Sequence, residues 1–171
     1  VESGDLGVGF TEAEHIAEGR FSTPFIEHGY IEPEAGYAIR LGSRLEIYGC
    51  TQAPMMDREA MAVILGIDEN NIRVVPSACG GGFGSKLDLS FQPFVALAAW
   101  LLNRPVAIVY SRTESMQSTT KRHPADMLLR IGCGKDGKIT AVDFSGIFNT
   151  GAYASWGPTV ANRVPVHASG P

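Results

Sequence analysis

Cysteine is scarce in this chain: 3 in 171 residues, at positions 50, 79 and 133, with no pair at CxxC spacing. That spread disfavours a zinc site, an iron–sulfur cluster and a disulfide framework alike, and a reduced, cytoplasmic setting is the default expectation. Positive charge is also in deficit, with 14 Lys and Arg against 18 Asp and Glu and a net charge of −4. A nucleic-acid partner needs cations to neutralise phosphates, and the cluster Lys121-Arg122-His123 is too short to supply them. Long apolar runs are lacking too. The longest, Phe94 to Leu102, is too short to span a bilayer, so no membrane partner is expected. No signal peptide, internal repeat or low-complexity tract is visible. The sequence starts at Val1 without methionine and stops at Gly170-Pro171, which is expected of an excerpt from a longer chain.

Glycine, in contrast, is concentrated in one place. The stretch Ser77-Ala78-Cys79-Gly80-Gly81-Gly82-Phe83-Gly84-Ser85-Lys86 leaves Phe83 as the lone Cβ between Gly80 and Gly84. Such a backbone adopts positive φ readily and lets another molecule approach closely. Its N–H groups can converge as an anion-binding nest, here expected beside the N-terminus of a following helix. A tight strand-to-helix turn with nothing bound would use the same glycines. Two phosphate loops are excluded by register. A Walker loop ends Gly-Lys-Ser/Thr, whereas Ser85 separates Gly84 from Lys86. A dinucleotide fingerprint counted from Gly80 or Gly82 meets Ser85 or Leu87 where its third glycine belongs.

Hydrophobic residues at 44% and charged residues at 19% are ordinary for a globular protein, and the length suits one domain. Residues 1–18 read as a lead-in segment. Phe, Ile and Tyr at near-strand spacing follow between Gly19 and Ile31. Gly36–Leu41 and Arg44–Tyr48 pair as a hairpin across Gly42-Ser43. Thr51 can cap a helix that has Pro54 in its first turn, the apolar positions Met56, Ala60, Val63 and Ile64 on one face, and Gly66 as its stop. A strand over 71–76 enters the glycine loop. A helix from about Asp88 to Leu102 leaves it, apolar over most of its circumference and therefore expected to be buried. Val106–Tyr110 lacks alternation and reads as an interior strand, and Thr113–Thr119 as a weak helix. Strands 126–132 and 139–148 join at the turn signal Asp136-Gly137. Residues 151–171 have loop composition. The fold class is α+β with a mixed sheet and packed helices in one domain.

Cys79-Gly80-Gly81-Gly82-Phe83-Gly84-Ser85-Lys86 resembles the molybdopterin-binding subunit of the xanthine dehydrogenase/aldehyde oxidase family, the molybdenum hydroxylases. Thr51-Gln52, Arg112-Thr-Glu-Ser-Met116 with Lys121-Arg122-His123-Pro124, Gly134-Lys-Asp-Gly137-Lys-Ile139-Thr-Ala141, Gly151-Ala152-Tyr153 and Asn162-Arg163 match in order. The resemblance covers the chain from about residue 20. It implies a partial molybdopterin-binding domain over 1–171, within an enzyme that hydroxylates an N-heterocycle or aldehyde with water as oxygen source. The cofactor is a molybdenum–molybdopterin, in its plain or cytosine dinucleotide form. Iron–sulfur clusters and FAD sit on partner domains or subunits, and further segments of the molybdenum subunit complete the site.

Carried over by resemblance, Gln52 donates its amide to the oxo ligand, and a neutral donor there stabilises charge without changing the proton count. Gly81, Gly82, Phe83 and Gly84 bind the cofactor through backbone N–H groups. Phe83, Leu87 and Arg163 line the substrate pocket, with Arg163 facing the substrate. Each has a plainer alternative: a polar residue near a helix start for Gln52, core packing for Phe83, a solvated loop position for Arg163. Leu87 departs from the purine-oxidising members, which carry glutamate there, so an aldehyde or a nicotinate-like heterocycle is at least as plausible as xanthine. No protein ligand to the metal is required, and His28 and His123 read as structural. Tyr153 and Trp156 read as packing residues. The family's general base lies in a distant segment outside this chain, so this piece alone is expected to be inactive and to bind cofactor weakly or not at all. A non-catalytic assembly module with the same fold is the alternative of a different class, and an unrelated nucleotide-binding domain is a third.

Overall fold

The computed structural model describes residues 2–168, apart from the side chain of Ala168; Val1 and Gly170-Pro171, the ends read as those of an excerpt, lie outside the described residues. In chain order the elements are α1 (Leu6–Thr11), β1 (His15–Thr23), β2 (Ala35–Leu41), β3 (Arg44–Gly49), α2 (Pro54–Leu65), β4 (Ile72–Pro76), α3 (Gln92–Leu102), β5 (Val106–Val109), α4 (Arg112–Ser118), β6 (Ala125–Cys133), β7 (Ile139–Phe148) and α5 (Gly157–Ala168). Helices and sheets occur together, as the α+β reading requires, but the strands form two sheets rather than one. The chain divides into two compact units, one made of Val1–Ile26 and Arg122–Pro171, the other of Glu27–Lys121.

The first unit holds an antiparallel sheet in the order β1-β6-β7. The Asp136-Gly137 turn forms where expected: Gly137 takes φ +78°, its N–H donates to Gly134 O (3.0 Å), and Gly134 N–H donates to Lys138 O (2.9 Å). A bulge between Gly132 and Cys133 absorbs the register shift. Residues 1–18, read as a lead-in, carry α1 and the first part of β1. Asp5 Oδ1 accepts from Val8 N–H (3.0 Å) to start α1, and Gly9 lets the helix lie on β7, since a Cβ there would meet Thr140 O at 2.5 Å. The strand expected between Gly19 and Ile31 starts earlier and stops at Thr23. The stretch expected to be loop forms α5 over most of its length; Gly157 at its start and Pro165 inside it mask the helix in the sequence. Tyr153 is exposed rather than packed.

The second unit is built on a mixed sheet in the order β4-β3-β2-β5. The β2–β3 hairpin turns at Gly42-Ser43, with Leu41 opposite Arg44. α2 carries the chain from β3 to β4, which run parallel. Ala38, Leu45 and Ile47 from the sheet, Met61 from α2, and Phe91, Val95, Ala96 and Ala99 on the α3 side form the core. The Phe91 ring lies against two glycines; a Cβ on Gly36 or Gly49 would come within 2.1 or 2.2 Å of it. At the unit's two ends, Lys121 Nζ meets Glu27 Oε2 at 2.8 Å, with both side chains almost out of solvent. Ser111 and Glu114 form a reciprocal capping box that fixes α4.

Four expectations for this unit change. Thr51 does not cap α2: its Oγ1 accepts from Ala53 N–H (3.0 Å), and Ala53 holds the cap position without a side-chain bond, ahead of Pro54. The face of α2 bearing Met56, Val63 and Ile64 is exposed, while Asp57 and Met61 point inward. α3 starts at Gln92 and buries one side only; Phe94, Leu97, Leu101 and Leu102 are exposed, because the sheet reaches just one face of the helix. β5 lies at the sheet edge, not in its interior, with Val109 76% exposed. Its unbroken apolar run mimics a strand covered on both faces.

Candidate functional site

The glycine loop is strung between two anchors. The first is the segment Tyr30-Ile31-Glu32. Gly80 N–H donates to Glu32 Oε2 (2.8 Å), and Glu32 N–H donates back to Gly80 O (3.2 Å). Arg112, from α4, holds this segment from behind by donating to the carbonyls of Tyr30 and Ile31. The second anchor is Gln52. Its Oε1 accepts from Gly84 N–H (3.0 Å) and Lys86 N–H (3.3 Å), and its own N–H donates to Lys86 O (2.9 Å). Two backbone donors aimed at one atom fix which end of the amide is oxygen. The Gln52 Nε2 group donates to nothing among the described residues.

Between the anchors the chain is bare. The N–H groups of Gly81, Gly82 and Phe83 donate to nothing among the described residues. Gly81 and Gly84 take φ +103° and +100°, and Phe83, a residue with a side chain, is held at +54°. Strain of that kind is stored at ligand clamps. A Cβ on Gly82 would meet Gln52 Oε1 at 2.3 Å, and one on Gly80 would meet Glu32 Cβ at 2.6 Å. Phe83 projects outward, 73% exposed, so it is not a core residue. The expected helix N-terminus beside the loop is absent. A single 3-10 turn, Ser85–Leu87, follows instead, and α3 starts only at Gln92. The loop therefore offers bare amides without a helix dipole behind them.

Lys86 joins the two anchors. Its side chain is 2% exposed, and Nζ donates to Glu32 Oε2 (2.8 Å) and Glu32 O (3.0 Å) while lying 4.8 Å from the centre of the Tyr30 ring. Burial pulls the Lys86 ammonium down, but the bond to Glu32 and the interactions with Glu32 and Cys50 together outweigh it and the group ends above its ordinary value. Burial likewise pushes the Glu32 carboxyl up, and the bonds from Lys86 and Gly80 bring it below the usual carboxylate range. Cys50 beneath them is raised by burial.

The structure thus brings Gln52, Gly81, Gly82, Phe83, Gly84 and Leu87 together within the second unit, with Leu87 half-buried at the end of the 3-10 turn. Arg163 is exposed on α5 of the first unit. Among the described residues no group of three or more His, Cys, Asp or Glu side chains could hold a metal ion, and no helix is long and apolar enough to cross a membrane. Glu32 and the burial of Lys86 were missed by sequence reasoning. They stand 54 positions apart, and no local pattern links them; the one signal is a lysine amid glycines and apolar residues, which is buried only when paired.

Comparison with known proteins identifies the family. The family model described as the molybdopterin cofactor-binding domain matches residues 1–171. The chain belongs to that family. It is 39% identical over 172 residues to a nicotinate dehydrogenase large molybdopterin subunit from Eubacterium barkeri, covering 100% of this chain and 40% of that protein. It is 33% identical over 171 residues to the xanthine dehydrogenase/oxidase of Mus musculus, covering 98% of this chain and 13% of the other. Among solved structures, the aldehyde oxidoreductase of Desulfovibrio gigas superposes with a TM-score of 0.82 at 27% identity, over 94% of this chain and 18% of that one. The chain therefore spans less than half the length of these relatives.

The domain's residues fit such a cofactor. Three unpartnered amides and one free carboxamide N–H₂ are donors suited to an anionic, oxygen- and sulfur-rich group. The missing Cβ atoms let a bulky group approach the backbone.

Proposed function

We propose that this domain presents Gln52 and the glycine loop to a molybdenum–pterin cofactor within the large subunit of a molybdenum hydroxylase. The cofactor, when bound, supplies the oxidation that adds water-derived oxygen to carbon, and its electrons pass to iron–sulfur and flavin partners. The protein's part is position and electrostatics. Gln52 is the carrying observation: because Gly84 and Lys86 occupy its oxygen, its nitrogen is left to donate toward a terminal oxygen of the cofactor. Gly81, Gly82 and Phe83 add main-chain donors, fixed before binding and so requiring little reorganisation. Gly84 is the hinge through which Gln52 holds the loop.

Leu87 provides an apolar edge where purine-oxidising members have a carboxylate. This favours an aldehyde or a nicotinate-like heterocycle over xanthine. Arg163 is assigned to the substrate through the resemblance, the general base to a segment outside this chain, and the cofactor form to the plain or cytosine dinucleotide type. The setting is cytoplasmic.

Gln52→Glu tests the reading in the complete enzyme. Glutamate still accepts from Gly84 and Lys86 but cannot donate. The expected outcome is normal molybdenum content with kcat reduced about 100-fold, the cost of one removed donor. A kcat equal to wild type would remove Gln52 from the chemistry.

A further inference from the structure

We propose that Glu32 and Lys86 are positioning residues that tension the glycine loop, holding the amides of Gly81, Gly82 and Phe83 free of internal partners. The inference rests on the cofactor reading above but concerns two side chains that reading does not use; of Lys86 it uses only the main-chain N–H. Glu32 accepts from the first amide of the loop, Gly80, at 2.8 Å. Lys86, at the far end, donates to the same carboxylate oxygen at 2.8 Å and to the Glu32 carbonyl at 3.0 Å. A single carboxylate thus clasps both ends of the loop. The Lys86 main chain is bonded to Gln52 in both directions, its N–H to Oε1 and its O to the Gln52 N–H. Moving Lys86 therefore moves the carboxamide too.

The physical reason for the clasp is what a glycine-rich chain does without one. Free of Cβ atoms, it has many conformations of similar energy, and in most of them its amides would turn to water or to nearby carbonyls. Holding Phe83 at φ +54° needs an outside constraint, since a non-glycine residue avoids that region. The constraint is an ion pair whose lysine is almost fully enclosed while its glutamate is 30% exposed, so solvent screens it from the Glu32 side only. The Tyr30 ring beneath Nζ and the close seat of Gly80 on Glu32 fill the remaining space.

The test uses the complete enzyme with its partner subunits, prepared both with cofactor and from a host unable to make the pterin. Glu32→Ala and Lys86→Met are compared with wild type and with Glu32→Gln, which keeps an acceptor for Gly80 but no charge. In cofactor-free protein, exchange of the bonded loop amides, those of residues 80 and 84–86, is expected to be about tenfold faster in Glu32→Ala and Lys86→Met, with Glu32→Gln between them and wild type, while exchange in β2 and β3 is unchanged. In loaded protein, the molybdenum that remains bound is expected to give an altered paramagnetic Mo(V) signal. If either variant fails to assemble, the isosteric Glu32→Gln carries the comparison. Unchanged exchange in the loop overturns the proposal. So does a loosened loop whose bound molybdenum keeps the wild-type signal, since a purely structural role lowers occupancy without altering the signal. Wild-type enzyme without molybdenum would defeat the proposed function instead, and the exchange result would still decide the clasp.

Discussion

The two units of this chain solve the same problem unequally. The second packs a mixed sheet against two helices and completely buries side chains as large as Tyr30, Phe91, Leu45, Ile47 and Met61. The first has an antiparallel sheet in which, among the described residues, Ala125 and Ala141 are the buried apolar side chains. Phe21 and Ile147, on its outer strands, are exposed. Rigid functional loops need a scaffold whose own rotamers are locked, and the glycine loop is found on the unit that has one. An ion pair between its end residues, Glu27 and Lys121, further distinguishes the second unit, since it closes the whole excursion of the chain between them.

The contrast is sharpest at Phe91. Phe91→Ala is expected to cost about 3–5 kcal/mol, since the sheet glycines beneath the ring cannot collapse into the cavity. Exchange protection in β2 and β3 measures it. In the first unit, Ile147→Ala is expected to leave protection in β6 unchanged, and a loss comparable with that at Phe91 would mean the sheet has a core of its own. Next in size is Lys121→Met, which leaves the enclosed Glu27 carboxylate without its cation, bonded only by His28 N–H and Thr119 Oγ1. A loss of up to about 3 kcal/mol in the second unit is expected, read from its denaturant midpoint, with the first unit's sheet retaining its protection.

Gly84→Ala follows. Its φ of +100° is costly for any side chain, so a loss of about 1–2 kcal/mol confined to the loop is expected, again by exchange. A loss spread over β2 and β3 would mean that loop and scaffold are one cooperative body.

Asp57 gives a smaller effect, visible as a pH dependence. Buried in α2, where its Oδ2 accepts from Gln92 Nε2 (3.1 Å), it is raised by burial above its ordinary 3.8, against the lowering by Thr51 and Gln92. A carboxyl raised in the folded state binds its proton more tightly there than when unfolded. It therefore costs stability as pH rises above 3.8 and through the folded value, and the cost is constant above that. Asp57→Asn is expected to flatten this part of the stability profile and to be neutral or stabilising at neutral pH, by urea unfolding at several pH values. Arg20→Ala is the smallest change. Its pair with Asp126 is solvent-exposed on the β1–β6 sheet, and no measurable shift in melting temperature is expected.

Much of the second unit was legible from local pattern. The hairpin at Gly42-Ser43, the β4 strand and the Gly66 stop each have a turn or period that needs no tertiary help. Two of the failures share a cause. α3 and β5 have apolar runs whose burial depends on how many neighbours reach them, and the sheet reaches α3 on one face and leaves β5 at an edge. α5 was hidden because Gly157 and Pro165 are penalties that other contacts outweighed.

The sequence by itself determined the family and the place of the glycine loop, because close approach to a backbone demands residues without Cβ in one continuous run, and a continuous run can be read. Only the tertiary structure decided which way the Gln52 amide faces and that Glu32 and Lys86 clasp the loop. Those facts depend on donors and acceptors from segments 30–32, 52 and 80–86, and a hydrogen bond between distant segments leaves no periodic trace along the chain.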